Sequence, residues 1–329
     1  MPNLVLRFDM RNWRHEQSSA DLYRTAVEMA VWADEHGFRT VQFAEHHGSE
    51  DGYIPSPIVL AAAIASRTRR IRLRFGLIIL PLYNPIKLAE DLAVLDIVSN
   101  GRVDVVFGAG YARHEFEMFG VDPAHRGRLM EENIAAIKQA WTGEVFTYQG
   151  RKARVRPVPV QKPRPPIWMG GASAAAARRA ARIADYFYSG EPGLFEFYRE
   201  EALKLGHDPG PWRDIGTGFF VVTDDVDKEW ARMAPYIEHE ARSYSEWIGS
   251  SGDVIQAAIG ELDVGMLRAS GGYPIMLRDE AIRYVAERGL NGDLSLHPLI
   301  SGMPAEIGWD QLRRFETEVL PHIERPAGQ

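Results

Sequence analysis

Two adjacent histidines follow a glutamate in the segment Glu45-His46-His47, directly after a β-rich run at residues 40–44. Histidine is the side chain best suited to proton transfer near neutral pH. After a strand, one histidine could face a pocket while the other braces its wall. The dipeptide alone is equally compatible with two ordinary loop histidines. A metal site is not expected, because the chain has no cysteine and no spaced His-x-His or His-Glu-x-x-His motif.

Three glycine-containing turns could bring the backbone close to a ligand. The turn with Gly108, Gly110 and Tyr111 begins like a dinucleotide fingerprint but lacks its third glycine, so a tight strand–helix turn explains it equally well. The turn Gly170-Gly171-Ala172-Ser173 opens a helix and favours a phosphate site, to which Arg126 could add a guanidinium. Alone, Arg126 is typical of a surface residue. Gly76, inside an apolar run, indicates a bulge or close approach, although a plain core strand explains that run better.

Alternating strands and helices must position these residues. Strands are predicted at residues 4–8, 40–44, 71–77, 103–108, 167–170, 186–188, 215–222 and 292–296, with a hairpin turn at 146–150. Eight strand–helix units favour the α/β class and a closed (β/α)8 TIM barrel over an open sheet. Residues 223–278 contain helical segments without a clear strand and are expected to form an elaborated loop, inserted late in the barrel. We expect a single domain over residues 1–329.

Composition narrows the function classes further. The 329 residues carry a net charge of -7 without a basic stripe, so a nucleic-acid partner is not expected. The first 19 residues carry Arg7, Asp9, Arg11 and Arg14 and lack the apolar core of a signal peptide. No apolar run approaches the length of a membrane span. These features predict a cytoplasmic protein that does not bind membranes.

The chain resembles the bacterial luciferase-like flavin-dependent monooxygenase family across most of residues 1–190 and again near the C-terminus. The matching segments occur in the family's order. They are Ala44-Glu-His-His47, Ile79-Leu-Pro-Leu-Tyr-Asn-Pro85, Ala89-Glu-Asp-Leu-Ala-Val-Leu-Asp96, Gly101-Arg102, Glu115-Phe116, Phe119-Gly-Val-Asp122, Trp141-Thr-Gly143, Pro165-Pro-Ile-Trp-Met-Gly-Gly-Ala-Ser173 and residues 178–185.

This resemblance implies a TIM barrel that binds reduced FMN, supplied by a separate flavin reductase, and oxidises a small organic substrate through a peroxyflavin. His46 matches the family's catalytic histidine, and Glu45 and His47 match residues that shape its pocket. Gly76-Leu77 matches the position of a non-prolyl cis peptide against the flavin ring. Gly170, Gly171 and Ser173 match the phosphate-binding turn, with Arg126 as the helix-start arginine that reaches the phosphate.

The chain departs from true luciferases at one turn. Gly108-Ala-Gly-Tyr-Ala112 replaces their Gly-x-Cys-Arg-Gly turn, so the cysteine and the strongest phosphate arginine are both missing, and light emission is not expected. Relatives that transfer hydride with a deazaflavin coenzyme share the shorter turn, which keeps a deazaflavin-dependent oxidoreductase as an alternative. The segment Glu45-His46-His47 favours FMN. A non-catalytic flavin-binding barrel and, less favoured, a metal hydrolase are the remaining alternatives.

The substrate is not indicated by the sequence. Residues 223–278 are expected to form a lid that sets specificity, with Tyr244, Trp247 and Tyr273 as candidate lining residues. Family members form homodimers through the helices after the second and third strands. Here those helices are predicted at residues 57–66 and 85–99, where apolar faces also suit ordinary packing in the barrel.

Overall fold

The computed structural model describes residues 2–216, 218–250, 263–288 and 292–323. The chain divides into two compact units. Unit 1 contains the residues up to Gln42, Ser49–Ile54 and the residues from Arg213 onward, and unit 2 contains Phe43–Gly48 and Pro55–Trp212. The strands are β1 (Asn3–Phe8), β2 (Thr40–Phe43), β3 (Arg72–Ile79), β4 (Val103–Gly108), β5 (Phe146–Tyr148), β6 (Arg151–Ala153), β7 (Ile167–Gly170), β8 (Tyr186–Tyr188), β9 (Val221–Thr223), β10 (Ile275–Leu277) and β11 (Asp293–Leu296).

Helices follow most of these strands. They are α1 (Ser19–Glu35), α2 (Pro57–Arg67), α3 (Pro85–Ser99), α4 (Arg113–Phe119), α5 (Arg126–Ala140), α6 (Ala174–Ile183), α7 (Pro192–Lys204), α8 (Val226–Ser250), α9 (Val264–Ala269), α10 (Arg278–Arg288) and α11 (Ala305–Glu318). Over the described ranges, none of them has the length and apolar character needed to cross a bilayer.

Local sequence explains where these helices start and stop. The side chain of Ser18 accepts a hydrogen bond from the backbone N–H of Asp21 and so caps α1. Gly37, two residues after α1, takes a φ of +83°, which glycine adopts without strain. Asn84 caps α3 in the same way, and Pro85 occupies its first turn, where a missing N–H costs nothing.

Unit 2 contains a run of parallel strands in the order β3, β4, β7, β8. Leu73 of β3 pairs with Val103 of β4, and the register between these strands shifts between Gly76 and Ile78. β4 pairs with β7, and β7 pairs with β8, both in parallel. β5 and β6 form the antiparallel hairpin predicted around residues 146–150. Parallel strands alternating with helices confirm the α/β class.

In unit 1 the first and last strands of the chain lie side by side. β1 pairs in parallel with β11, so that Asn3 lies opposite Asp293 and Leu6 opposite Leu296. The main buried cluster of this unit joins α8 to β9 and β10; its buried members are Phe219, Val221, Trp230, Met233, Tyr236, Ile237, Leu267, Ile275, Ile300 and Met303.

Two predictions for unit 1 were wrong. The strand expected at residues 215–222 is reduced to Val221–Thr223, because Gly216 and Gly218 both take positive φ and turn the chain away from an extended path. The segment 223–278, expected to lack a strand, contributes β10, which pairs in parallel with β9. β10 has only three residues, too few for an alternating pattern to be recognised.

Candidate active site

The segment Glu45-His46-His47 begins two residues after β2 ends at Phe43, within unit 2. All three side chains are buried, with 2%, 6% and 7% of their surface exposed. Buried ionisable groups at a strand end require partners, because a buried charge or polar group without one is costly. The partners come from the segment after β4 and from the end of β3.

Glu115, a fully buried residue of α4, organises both histidines. Its Oε1 atom accepts a hydrogen bond from Nδ1 of His46 at 2.9 Å and from the backbone N–H of His47 at 2.8 Å. Because a carboxylate only accepts, Nδ1 of His46 carries a proton. Neutral His46 therefore presents the lone pair of Nε2, which lies 3.3 Å from the hydroxyl of Tyr111.

Glu45 forms a second set of contacts beside the first. Its Oε1 lies 3.0 Å from Nε2 of His47, and its Oε2 accepts a hydrogen bond from the hydroxyl of Tyr83 at 3.0 Å. Burial, and then the charge of Glu45, raise the pKa of Tyr83 well above its usual value, so this hydroxyl stays a donor. His47 also packs edge-on against Phe119. Glu45 and His47 thus bond to each other, whereas His46 faces Tyr111.

The peptide bond between Gly76 and Leu77 is cis, at the position predicted from the resemblance. The side chain of Leu77 lies against two glycines at the carboxyl ends of neighbouring strands. A Cβ atom at Gly108 would collide with the methyl groups of Leu77, and one at Gly170 would lie 3.0 Å from its Cδ2. These glycines therefore let Leu77 lie directly over the backbone of β4 and β7.

The turn after β4 needs its second glycine for two reasons. Gly110 takes a φ of +74°, and a Cβ atom there would lie 2.7 Å from Cγ2 of Ile79. The turn brings the next residue, Tyr111, to His46 with ring centroids 5.7 Å apart. This turn therefore brings Tyr111 to His46, while Gly108 lies against Leu77 and Gly110 against Ile79.

The turn after β7 leads directly into α6. Ser173 is exposed, and its hydroxyl accepts a hydrogen bond from the backbone N–H of Ala176 to cap α6. A Cβ atom at Gly171 would lie 2.5 Å from Cβ of Ala176, so the chain passes close over the first turn of the helix. Arg126 is the first residue of α5, as predicted, and its neighbour Gly127 lies against the guanidinium of Arg179 on α6.

Unit 1 contains a second buried polar cluster that the sequence did not reveal. Asp9 follows β1, His297 follows β11 and Glu240 lies on α8; their ligand atoms are within 4.8 Å of one another. Asp9 and His297 thus follow two strands that pair with each other, β1 and β11. Such a set can hold a metal ion, but Arg7 already pairs with Glu240 at 3.0 Å and the Arg11 side chain lies 3.8 Å from Asp9.

Asp9 is the centre of this cluster. It accepts hydrogen bonds from the backbone N–H groups of Arg11 and Ser301. Burial alone would raise its pKa, but His297 and the arginines outweigh burial and hold the pKa well below its usual value. The positive charges of Arg7 and Arg11 both act on this carboxylate.

Comparison with known proteins places the chain in a family. Residues 4–269 match the sequence profile of the luciferase-like monooxygenases. A solved monooxygenase from Streptomyces bottropensis is 27% identical and superposes with a TM-score of 0.79, covering 98% of this chain and 99% of that one. The FMN complex of the oxygenating component of 3,6-diketocamphane monooxygenase from Pseudomonas putida has the same fold, with a TM-score of 0.76 at 22% identity over 99% of both chains.

Curated relatives match over part of their length. The oxygenase component of flavin-dependent trigonelline monooxygenase from Acinetobacter baylyi is 34% identical over 47% of this chain and 44% of that protein. FMNH2-dependent dimethylsulfone monooxygenase from Pseudomonas putida is 26% identical over 59% of this chain and 56% of that protein. The matches span about half the length of these relatives. The profile match covers far more than half of the chain, and the chain therefore belongs to the luciferase-like monooxygenase family.

Proposed function

We propose that this chain is a flavin-dependent monooxygenase that uses reduced FMN and molecular oxygen to oxidise a small organic substrate. The observation that carries the proposal is His46, a buried histidine whose tautomer is set by Glu115 and whose Nε2 faces Tyr111. The curated relatives of the chain also support the proposal, because one is named as FMNH2-dependent and another as the oxygenase component of a flavin-dependent monooxygenase.

The residues of unit 2 fit FMN at two places. Leu77 packed on Gly108 and Gly170 gives an apolar platform for the flavin ring, and those glycines leave no Cβ atom in the way. The exposed start of α6 at Ser173 offers backbone N–H groups and a hydroxyl to the phosphate, with Arg126 as an added cation. Gly76, Gly110, Tyr111 and Gly171 complete the proposed cofactor site.

Bound reduced FMN supplies two electrons, so that one oxygen atom enters the substrate and the other leaves as water. The chain's part is to move protons and to exclude solvent. Nε2 of His46 accepts or returns a proton, and its Nδ1 stays bound to Glu115 throughout. Tyr111 holds the proton-transfer end of His46 in position. Burial of Glu45, His46 and His47 keeps bulk water from the reacting atoms.

We make three further proposals, on the fold around the site, the source of the reduced flavin and the oligomeric state. The strand–helix alternation corresponds to one (β/α)8 barrel formed by residues 1–329, with 223–278 as the specificity lid. A separate reductase supplies the reduced flavin, as expected for a chain similar to an oxygenase component. The partner in a homodimer is a second copy, docked on the exposed apolar residues of α2 and α3; these are Val59, Val94, Ile97 and Val98.

A deazaflavin-dependent hydride transfer is the alternative. One experiment separates the two: the purified chain is titrated without oxygen with reduced FMN and, separately, with reduced deazaflavin, and air is then admitted. Tight binding of reduced FMN followed by oxygen uptake is the expected result. Binding of the deazaflavin alone, without oxygen uptake, would contradict the proposal and give His46 a role in hydride transfer instead.

A further inference from the structure

Arg11, three residues beyond the end of β1, is a fully buried arginine whose hydrogen-bonding capacity is unused. Over the described ranges of the chain, Nε, Nη1 and Nη2 have no hydrogen-bond acceptor. The nearest carboxylates, of Asp51 and Asp9, approach Nε at 3.6 and 3.8 Å, beyond hydrogen-bond distance. Buried polar groups are almost always satisfied, so a guanidinium left in this state points to an acceptor beyond the described part of the chain, such as a bound anion.

The carboxylates near Arg11 have partners of their own. Asp51 accepts from Nε2 of His239 at 2.7 Å, and Asp9 accepts from two backbone N–H groups. One oxygen of each acid still faces Nε of Arg11, but it stays beyond hydrogen-bond distance. The two terminal nitrogens, Nη1 and Nη2, are left as a pair of parallel donors, the arrangement that binds a carboxylate with two hydrogen bonds.

Three aromatic rings surround the guanidinium. Its Cζ atom lies 4.4 Å from the ring centre of Tyr53, 5.1 Å from that of Tyr244 and 5.3 Å from that of Trp247. Tyr53 is buried, whereas Tyr244 and Trp247 are only half-buried and reach the solvent. They are three residues apart on α8 and so lie on the same side of that helix.

We propose that Arg11 anchors the carboxylate of a small aromatic or similarly flat organic acid, whose body packs between Tyr53, Tyr244 and Trp247. This binding site lies within unit 1, and the inference goes beyond the proposed function without depending on it. It also gives a specific contact to Tyr244 and Trp247, which the sequence predicted to line the substrate site. That contact is the flat body of the acid. Tyr273 instead donates its hydroxyl to Glu240 and belongs to the neighbouring ion-pair cluster.

The test is calorimetric titration of the full chain without flavin, using benzoate and its neutral analogue benzamide. We expect benzoate to bind, and we expect the affinity for benzamide to be lower by a factor of about ten or more. The reason is that the carboxylate of benzoate forms charge-assisted hydrogen bonds with Arg11, whereas the amide of benzamide is neutral. Arg11→Met should lose the preference for benzoate. Arg14→Met is the matched control, since Arg14 stacks on Trp13 and its side chain is 41% exposed. Equal binding of the two compounds, or undiminished benzoate binding by Arg11→Met, would overturn the proposal.

A second measurement covers the case in which Arg11→Met does not fold. Benzoate should change the tryptophan fluorescence of the unmodified chain, and Trp247→Phe, which keeps an aromatic ring, should abolish the change while retaining binding. A fluorescence response that persists unchanged in Trp247→Phe contradicts the proposed pocket. Benzoate binding without FMN-dependent oxygen uptake would refute the proposed function alone, whereas oxygen uptake without benzoate binding would refute this inference alone.

Discussion

Glu115 and His46 are joined by a hydrogen bond of 2.9 Å between Oε1 and Nδ1, with the carboxylate fully buried. The same oxygen holds the backbone of His47. One acid therefore sets both the path of the chain after β2 and the tautomer of its central histidine. This pair makes Glu115 a positioning residue, because its carboxylate decides which nitrogen of His46 is available.

Replacing Glu115 with Gln tests this role. We expect turnover to fall by about tenfold or more, since a charge-assisted hydrogen bond becomes a neutral one. The acid limb of the pH–rate profile should also move to lower pH, because the imidazolium of His46 loses its counter-charge. Steady-state oxygen uptake across pH measures both effects. Glu117→Gln, an exposed change on the same helix, is the control; an unshifted profile in Glu115→Gln would assign Glu115 a purely structural role.

Replacing His46 with Gln removes the proton-transfer group and keeps a buried polar side chain. We expect oxidation of substrate to fall by about 10²- to 10⁴-fold, the usual contribution of general acid–base catalysis. Binding of reduced FMN, measured by anaerobic titration, should change little. His125→Gln is the matched control, because the His125 side chain is 57% exposed. Full activity in His46→Gln would remove this residue from the mechanism.

Gly108→Ala probes the packing of Leu77 on β4. The added methyl group collides with the Leu77 side chain, so both thermal stability and affinity for reduced FMN should decrease. Shortening Leu77 to Ala in the same chain should restore much of the lost stability but not the flavin affinity. Gly193→Ala, at a glycine with open space around it, is the control. Unchanged flavin affinity in Gly108→Ala would place the cofactor elsewhere.

The contacts of His46 show which parts of the candidate site could be predicted from the sequence. The position of His46 after a strand was predictable, because the alternation of strands and helices is local. Glu115 lies 69 residues further along the chain, in a short helix where an acid looks like a surface residue. It was noted only as part of a matching segment. No pattern within one sequence could show that its carboxylate is buried against His46.

Arg11 was missed for a related reason. Its neighbours in space are Tyr53, Tyr244 and Trp247, and two of these come from a helix more than 230 positions later in the chain. Periodicity detects one face of one element, whereas a buried ion-pair cluster draws on several elements at once. The sequence pattern also failed to predict β9 and β10 correctly. Each of these strands has only three residues, too few to show an alternating pattern.

The low pKa of Asp9 makes acid stability a measurable consequence. Its pKa lies below the unfolded value of 3.8, so its contribution to folding is complete above that value and is lost as the pH falls through the lower, folded pKa. Melting temperatures should therefore drop between about pH 5 and pH 3, and Asp9→Asn should flatten that dependence. Asp91→Asn, at a partly exposed acid, should leave the slope unchanged. An equal slope in Asp9→Asn and the unmodified chain would contradict the assignment.

The proposed dimer can be tested at its most exposed apolar side chain. Val59 on α2 is 71% exposed, so Val59→Glu should leave the fold intact and prevent a second copy from docking. Sedimentation velocity should show a dimer for the unmodified chain and a monomer for the variant. Leu205→Glu, at a 59% exposed leucine outside α2 and α3, is the control. A monomer in both, or a dimer in both, would exclude this surface as the interface.

The pairing of β1 with β11 has a consequence for synthesis of the chain. Asn3 meets Asp293 across 290 positions, so the edge of β1 that faces β11 stays unpaired until residue 293 has been synthesised. Contacts so distant in sequence form slowly, because a long loop must close first. A product that ends before α8 would keep Arg11 but lack Tyr244 and Trp247, the two α8 rings that lie against its guanidinium.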